Sequence, residues 1–174
     1  MRRDPWLEVF REAIELPDGR TVDDFYVVEM QDFVVVVAVT PGNEVVVESL
    51  YRHGPGVVTY SMPAGYMLPG EKPLEAAKRE LREETGYEAS SWTSMGRFIV
   101  DGNRGCGWCS CFLARGASVV GTPESDDLAW VELTTKSLVE LLDLSAAGSV
   151  AELASVAALG LASVRLATAG ANGR

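Results

Sequence analysis

Apolar runs dominate the first third of the chain and predict a β-rich half. The longest, the mainly apolar stretch at residues 25–39, ends in Phe33–Val39, which is apolar at every position. Such a continuous run is typical of a strand buried on both faces of a sheet. Pro41, Gly42 and Asn43 follow, so we expect a hairpin with a strand at residues 45–50. Further strands are predicted at residues 7–10, 13–16, 21–22 and 57–62, with a turn at Pro17, Asp18 and Gly19.

A helix is predicted between Pro73 and Gly86. The stretch LEAAKRELREET consists mainly of strong helix formers. Proline is tolerated in the first helical turn, and glycine is favoured as a C-cap. Leu74, Ala77 and Leu81 recur at helical spacing and predict the stripe that faces the core.

The rest of the chain predicts further strands and then two helices. The strands are expected at residues 98–100, 108–114 and 128–133, and the helices at residues 135–144 and 149–167. The order is therefore strands, helix, strands, helices, without an internal repeat. This order favours an α+β fold or an α/β/α sandwich.

Length and charge restrict the class of protein. The 174 residues suit one domain. Lys and Arg number 15 and Asp and Glu number 25, so the formal net charge is −10. A chain this acidic repels nucleic-acid phosphates, and we expect no nucleic-acid partner. An anionic substrate would need a cation to bridge it to the protein.

We expect a cytoplasmic protein, because the sequence shows no signal-like or membrane-spanning stretch and its cysteines do not form a disulfide pattern. No apolar stretch follows the initial MRRDPW, and the apolar stretch 153–164 is too short to span a bilayer. We therefore expect neither a secretory signal nor a membrane contact. Cys106, Cys109 and Cys111 are clustered and odd in number, which favours reduced thiols over disulfides. The single histidine, His53, excludes a His-rich metal site.

Three carboxylates crowd one arc of the predicted helix. At about 100° per residue, Glu80, Glu83 and Glu84 lie at about 0°, 300° and 40°. Like charges at this spacing destabilise a helix unless they are fully solvated or offset by a cation. The arc is therefore either a solvated acidic face or a site for Mg²⁺ or Mn²⁺, which prefer such hard oxygen ligands.

This helix and the loop before it form a motif of fixed spacing. Gly65 is followed after five residues by Glu71, and after seven more by RELREETGY, which begins at Arg79. The pattern resembles the Nudix box, G-x5-E-x7-R-E-U-x-E-E-x-G-U, in which U is aliphatic. Tyr87 at the final position is the one departure. The resemblance implies an α/β fold, the Nudix α/β/α sandwich with a mixed sheet, and metal-assisted hydrolysis of a diphosphate.

The resemblance also implies residue roles by position. The metal ligands, for Mg²⁺ or alternatively Mn²⁺, would be Glu80, Glu83, Glu84 and the backbone carbonyl of Ala64. The structural positions of the box would be Gly65, Glu71, Arg79 and Gly86. A salt bridge between Arg79 and Glu71 is expected to brace the loop and keep the ligands aimed.

Residues upstream resemble one branch of the family, the ADP-ribose and nucleotide-sugar pyrophosphatases. YRHG from Tyr51 and TYSMPAG from Thr59 resemble the QYR and ELPAG region of that branch, with Ser61 where glutamate is usual. The start of the chain resembles its N-terminal strand extension. We therefore expect a β extension at residues 1–32 and a Nudix hydrolase domain with C-terminal helices at residues 33–174. The extension often exchanges between subunits in that branch, which implies a homodimer.

The implied reaction is hydrolysis of the diphosphate bond in a nucleoside diphosphate linked to a sugar, as in ADP-ribose. The products would be a nucleoside monophosphate and a sugar phosphate. Two alternatives remain, namely a Nudix hydrolase acting on nucleoside triphosphates or dinucleotides, and a non-catalytic module that senses nucleotides. Three crowded carboxylates favour an enzyme, because a sensor does not need them.

Two arginines are candidates for substrate binding. The guanidinium fork of Arg52 suits phosphate or ribose, and the matching family position contacts substrate. Arg104, in the string GNRGCG, would present a cation and backbone N–H groups to a phosphate. The same string also suits an ordinary turn.

The general base is expected outside the box. In the resembling branch, a carboxylate on a mobile loop activates the water, and the corresponding loop here is residues 121–127. Glu124 is the predicted base because its side chain reaches farther than that of aspartate. Asp126 is the second candidate, and Glu83 of the box is the alternative.

Overall fold

The computed structural model describes residues 7–124 and 131–171, which form eleven strands and three helices. The strands are β1 (Leu7–Glu15), β2 (Thr21–Met30), β3 (Phe33–Val39), β4 (Glu44–Arg52), β5 (Val57–Ser61), β6 (Ala64–Tyr66), β7 (Tyr87–Glu88), β8 (Ser91–Asp101), β9 (Gly105–Arg115), β10 (Ser118–Val119) and β11 (Val131–Ser137). The helices are α1 (Pro73–Thr85), α2 (Leu138–Ala146) and α3 (Leu153–Ala171).

Strand β3 lies in the middle of a nine-stranded mixed sheet. The main path of the sheet has the order β1-β2-β9-β3-β4-β11. Strand β3 runs parallel to β9 along its whole length and antiparallel to β6. Its residues 34–37 are at most 1% exposed, although successive side chains point to opposite faces. The expectation of a strand buried on both faces is confirmed.

The predicted hairpin of β3 and β4 pairs only next to its turn, where Val39 lies opposite Val45. Farther along, β6 takes the place beside β3, and β5 pairs with β4. In this way β6 brings Ala64 and Gly65 into the middle of the sheet.

Helices cover both faces of the sheet. On one face, Ala76, Ala77 and Leu81 of α1 join a buried cluster that contains Val34 and Val36. On the other face, a second cluster combines Leu141 of α2 and Ala158, Leu159 and Ala162 of α3 with Val35, Val37 and Leu113. The predicted α/β/α sandwich with a mixed sheet is confirmed.

Strands β1 and β2 form an antiparallel hairpin at one edge of the sheet. Gly19 in its turn has φ of 83°, a left-handed conformation that glycine adopts readily. Strand β2 joins β9 through one pair, Val28 and Gly105. Exposed apolar side chains of the hairpin include Leu7, Val9, Tyr26 and Met30.

The helix predicted at residues 135–144 is wrong at its start. It begins at Leu138, because strand β11 continues to Ser137 and pairs along β4. Thr134 and Thr135 are β-branched and favour this strand. The Ser137 hydroxyl then caps α2 by accepting a backbone N–H of its first turn at 3.2 Å.

The helix predicted at residues 149–167 is also wrong at its start, because residues 149–152 bind β5 instead. The N–H of Ala151 donates to Thr59 Oγ1 at 2.8 Å, and Thr59 Oγ1 donates to the carbonyl of Ser149 at 2.9 Å. Helix α3 therefore begins at Leu153.

Other predicted boundaries also change. The strand predicted at residues 98–100 is longer in the structure, as β8, and the short strands β6, β7 and β10 were not predicted. The strand predicted at residues 128–133 is observed as β11 from Val131, and residues 128–130 lie outside the described residues. Within the described ranges, no helix is long and apolar enough to cross a membrane.

Candidate active site

Helix α1 carries most of the candidate site and ends at Gly86. Gly86 has φ of 71°, and its N–H donates to the carbonyl of Arg82 at 2.8 Å. A Cβ on Gly86 would also lie 2.4 Å from the carbonyl oxygen of Gly121. Both the helix end and the close approach of the following loop therefore require glycine here.

Arg79 connects the loop before α1 to three carboxylates. Its Nε and Nη2 donate to the two oxygens of Glu71, each at 2.9 Å, in a bidentate pair. Nη2 also donates to the carbonyl of Tyr66 at 3.0 Å. Nη1 donates to Glu80 Oε1 at 2.6 Å and to Glu83 Oε2 at 3.0 Å. The salt bridge expected between Arg79 and Glu71 is present.

Two carboxylates of α1 lie against strand β6. The N–H of Ala64 donates to Glu84 Oε2 at 2.8 Å. A Cβ on Gly65 would lie 2.1 Å from the Cδ atom of Glu80, so glycine leaves the space that this carboxylate occupies. The structure thus brings Ala64, Glu80 and Glu84 together, and Arg79 links Glu83 to them.

Burial and ion pairing shift the pKa values of two carboxyl groups in opposite directions. Burial raises the pKa of Glu80 above its ordinary value of 4.5, and the ion pair with Arg79 opposes part of this rise. The hydrogen bond from Arg79 lowers the pKa of Glu71 below 4.5. Glu80 is 8% exposed, so a nearby cation stabilises its charged form.

The donor set of this cluster fits a divalent cation by chemistry. Carboxylate and carbonyl oxygens suit Mg²⁺ and Mn²⁺, and the space at Gly65 admits the Glu80 carboxylate beside β6. In the present arrangement Arg79 Nη1 bridges Glu80 and Glu83 and supplies the counter-charge. Within residues 7–124 and 131–171, no three acidic, cysteine or histidine side chains are gathered closely enough to hold a metal as they stand.

A cavity of about 740 Å³ lies beside these carboxylates. Its polar part includes Arg52, Glu80, Glu84 and Glu152. Its apolar part includes Met30, Phe33, Tyr66, Leu68 and Val100. The volume lies within the range of small-molecule sites, and the mixture of apolar walls with a few charged groups is typical of them.

Arg52 is in the wall of this cavity. Its Nη2 donates to Ser61 Oγ at 3.2 Å, and its Nε lies 3.2 Å from Glu152 Oε1. Among the described residues that line the cavity, Arg52 is the one arginine or lysine. The structure therefore places this predicted substrate-binding residue where it can meet an anion.

Arg104 lies elsewhere, exposed at the turn between β8 and β9 and outside the cavity lining. The backbone N–H groups of Asn103 and Arg104 donate to Asp101 Oδ1 at 2.8 and 2.6 Å. These bonds lower the pKa of Asp101. The backbone donors considered for a phosphate are therefore used within the turn, as in the ordinary-turn interpretation.

Glu124, the predicted base, lies at the C-terminal end of α1. The N–H of Glu124 donates to the carbonyl of Glu83 at 2.7 Å, which holds this part of the loop against the box helix. Glu124 is exposed and is not among the described residues that line the cavity. Asp126 lies outside the described residues.

Two residues at the start of α3 belong to the site although the sequence interpretation gave them no role. Glu152 and Ser155 line the cavity, and the Ser155 hydroxyl accepts the N–H of Met62 at 3.1 Å. Both are more than eighty residues from their partners in the chain. The available signal was weak, namely one carboxylate immediately before an apolar helix.

Two family models match this chain. A family model described as the NUDIX domain matches residues 30–153. A second model, described as the nucleoside diphosphate sugar hydrolase N-terminal domain, matches residues 3–28. Together they cover nearly all of the sheet with its N-terminal hairpin, and the whole cavity lining except Ala154 and Ser155.

Curated relatives and solved structures extend the likeness. The ADP-ribose pyrophosphatase of Bacillus subtilis is 30% identical over 139 residues, which are 79% of this chain and 75% of that protein. The ADP-ribose pyrophosphatase of Mycobacterium tuberculosis is 34% identical over 120 residues, 66% of this chain and 56% of that protein. A crystal structure of an ADP compounds hydrolase matches 98% of this chain and 91% of its own, with a TM-score of 0.81 at 21% identity, which shows a shared fold.

Proposed function

Because this chain belongs to the Nudix family, we propose that it hydrolyses the diphosphate bond of a nucleoside diphosphate linked to a sugar, such as ADP-ribose. The products are a nucleoside monophosphate and a sugar phosphate. The observation that carries the proposal is the cavity, which joins the carboxylates of α1 to Arg52 and to apolar walls. The ADP-ribose pyrophosphatase relatives support this substrate class.

The metal is Mg²⁺, with Mn²⁺ as a substitute, held by Glu80, Glu83, Glu84 and the carbonyl of Ala64. When bound, such a cation neutralises phosphate oxygens and acidifies a water. Glu71 contributes by keeping Arg79 in its bidentate pair, so that the end of β6 at Tyr66 stays attached to α1. The support for these roles is the donor chemistry and the contacts of Ala64 and Gly65.

Arg52 contacts the diphosphate, and the apolar walls contact the nucleoside. The guanidinium is the cationic group that an anion meets among the described residues lining the cavity. Aromatic and aliphatic side chains such as Phe33 and Tyr66 offer surfaces for a flat base. Arg104, which is outside the lining, contributes at most at the edge of the substrate.

Glu124 is the proposed general base. Its backbone N–H bonds to the carbonyl of Glu83, one of the proposed metal ligands near the C-terminal end of α1. The Glu124 side chain is exposed. Glycine and proline at positions 121 and 123 suit a hinge for this loop. Asp126 and Glu83 are the alternatives.

We place the boundary between a β extension and the Nudix hydrolase domain at residues 32 and 33, and we propose a homodimer formed through the extension. The exposed Leu7, Val9, Tyr26 and Met30 support it, since a second subunit would bury them. Light scattering at micromolar concentration should give twice the chain mass, and a monomer would reject the dimer.

A cytoplasmic location is supported by three free thiols.

The test is turnover of a substrate panel with Mg²⁺. The panel contains ADP-ribose, other nucleotide sugars, NADH and nucleoside triphosphates. The proposal predicts the highest kcat/KM on a nucleoside diphosphate linked to a sugar. Preference for triphosphates or dinucleotides would favour the other Nudix chemistry, and binding without turnover of any compound would indicate a sensing module.

A further inference from the structure

Ser61, Arg52 and Glu152 form a cluster at the polar end of the cavity. Arg52 Nη2 donates to Ser61 Oγ, the Ser61 hydroxyl donates to Glu152 Oε2, and Glu152 Oε1 forms an ion pair with Arg52 Nε at 3.2 Å. We infer that Glu152 is a positioning residue that, through Ser61, holds the Arg52 guanidinium in place for the diphosphate of the substrate. The inference rests on the proposed function as far as the identity of that anion is concerned.

The contacts leave one side of the guanidinium for a ligand. Nε and Nη2 face Glu152 and Ser61, whereas Nη1 has no protein partner among the described residues. Arg52 and Glu152 both line the cavity, and their side chains are 27% and 31% exposed. A long arginine side chain otherwise loses rotamer freedom on binding, so a guanidinium that is already held binds an anion more tightly.

Glu152 is itself held firmly at the start of α3. The segment before it is attached to β5 through Thr59, whose hydroxyl bonds to both Ala151 and Ser149. The residue three positions after it, Ser155, accepts the N–H of Met62. Hydrogen bonds on both sides therefore fix the backbone from which the Glu152 carboxylate reaches Arg52.

Because residue 61 is a serine, the negative charge beside Arg52 is supplied by Glu152. Ser61 is 1% exposed and has a short side chain, so it cannot supply a negative charge to Arg52. The negative charge comes instead from Glu152, 91 positions later in the chain. Its carboxylate accepts a hydrogen bond from the Ser61 hydroxyl and also pairs directly with Arg52. A carboxylate at either position 61 or position 152 would therefore meet the same guanidinium.

A simpler account is that Glu152 stabilises only the N-terminus of α3, where an acidic side chain is favoured. Glu140 provides a matched control, because it lies in the first turn of α2 and forms an ion pair with Lys136 at 2.5 Å. Neither residue of that pair lines the cavity. Glu140→Ala therefore removes the same type of helix contact without touching Arg52.

The experiment measures KM and kcat for ADP-ribose with Mg²⁺ in Glu152→Ala, the milder Glu152→Gln and Glu140→Ala. Positioning predicts that Glu152→Ala raises KM about 3- to 10-fold with kcat little changed, because the cost is the ordering of one side chain. Glu152→Gln should lie between wild type and Glu152→Ala, and Glu140→Ala should match wild type. A lower KM would show that Glu152 merely neutralises Arg52, and a lower Tm with unchanged KM would show a structural role; either result overturns the inference.

A double variant and a spectroscopic signal complete the test. Ser61→Glu combined with Glu152→Ala returns a carboxylate to the cluster and should bring KM back towards the wild-type value, and failure to do so contradicts the inference. The NMR signal of the Arg52 Nε–H, assigned through Arg52→Lys, should show slow guanidinium rotation in wild type and fast rotation in Glu152→Ala. This signal needs no substrate. A wild-type protein inactive on the whole panel would therefore reject the proposed function alone, whereas unchanged Arg52 rotation would reject the inference.

Discussion

The carboxylate of Glu80 occupies the space beside Gly65 in which any other residue would carry its Cβ atom, only 2.1 Å from Glu80 Cδ. The spacing of glycine and glutamate in the box therefore has a direct steric cause. Strand β6 passes so close to α1 that the glutamate side chain and a β-carbon exclude each other. A larger residue at position 65 would therefore displace the Glu80 carboxylate, which we assign to the metal.

Gly65→Ala should reduce both activity and stability. The added methyl group forces the Glu80 carboxylate away from β6, and overpacking of this kind costs about 1–3 kcal/mol of unfolding free energy. Gly54→Ala is the matched control, because a Cβ on Gly54 meets no atom within 4 Å. Thermal melting and kcat measured together check this prediction, and equal behaviour of the two variants would show that the contact at Gly65 is unimportant.

Glu80→Gln and Glu84→Gln should each lower kcat more than about 100-fold while Tm stays nearly constant. Glutamine removes the charge but can still accept the hydrogen bonds from Arg79 and from the Ala64 N–H. Glu75→Gln, on the outer face of the same helix, serves as the control, since Glu75 pairs with Lys78 away from the site. Titration with Mn²⁺ should show weaker metal binding in the first two variants, and near-normal turnover with Mg²⁺ in both would refute the metal assignment.

The pair of Glu71 and Arg79 should make stability depend on pH. The pKa of Glu71 is lowered in the folded protein. Around and below the ordinary value of 4.5, the unfolded chain therefore binds more protons at this residue than the folded protein does. The stabilisation is therefore fully present above pH 4.5 and is lost as the pH falls through the lowered pKa.

Accordingly, Glu71→Gln should be less stable than wild type by about 2 kcal/mol at pH 7. The difference should shrink as the pH falls from about 4.5 to 3. Urea unfolding at each pH measures it, with Glu75→Gln as an exposed control. A difference that stays constant over this range would mean that the charge on Glu71 is not what matters.

The general base is tested by separate measurement of kcat and KM in Glu124→Gln, Asp126→Asn and Glu83→Gln. Loss of a base should lower kcat about 100-fold or more with little change in metal affinity. We expect this result for Glu124→Gln. Full kcat in both loop variants, together with loss in Glu83→Gln, would assign the base to the box.

Local patterns were sufficient to predict the parts of the molecule whose causes are local. The helix between Pro73 and Gly86 contains its own start and stop signals, and the apolar run of β3 reports burial on both faces. The placement of Glu80 and Glu84 on one arc follows from helical geometry. These features are therefore recognisable in the sequence without knowledge of the fold.

Other features depend on contacts between distant residues. Thr135 has no local signal that separates a strand from the first turn of a helix, and its pairing with Val46 of β4 decides the outcome. Glu152 looks like an ordinary charge before an apolar helix until α3 brings it to Arg52. The same limit applies to Arg104, whose backbone donors are used by Asp101 within their own turn.

The most direct test of the proposed function is identification by mass spectrometry of the products formed from ADP-ribose and Mg²⁺ in ¹⁸O-labelled water. Cleavage of the diphosphate bond predicts AMP and ribose 5-phosphate in equal amounts, with one labelled oxygen on one of the two phosphates. Turnover should fall more than about 100-fold in Glu80→Gln. Formation of ADP and free ribose, or no product under conditions in which a nucleoside triphosphate is consumed, would contradict the proposed reaction.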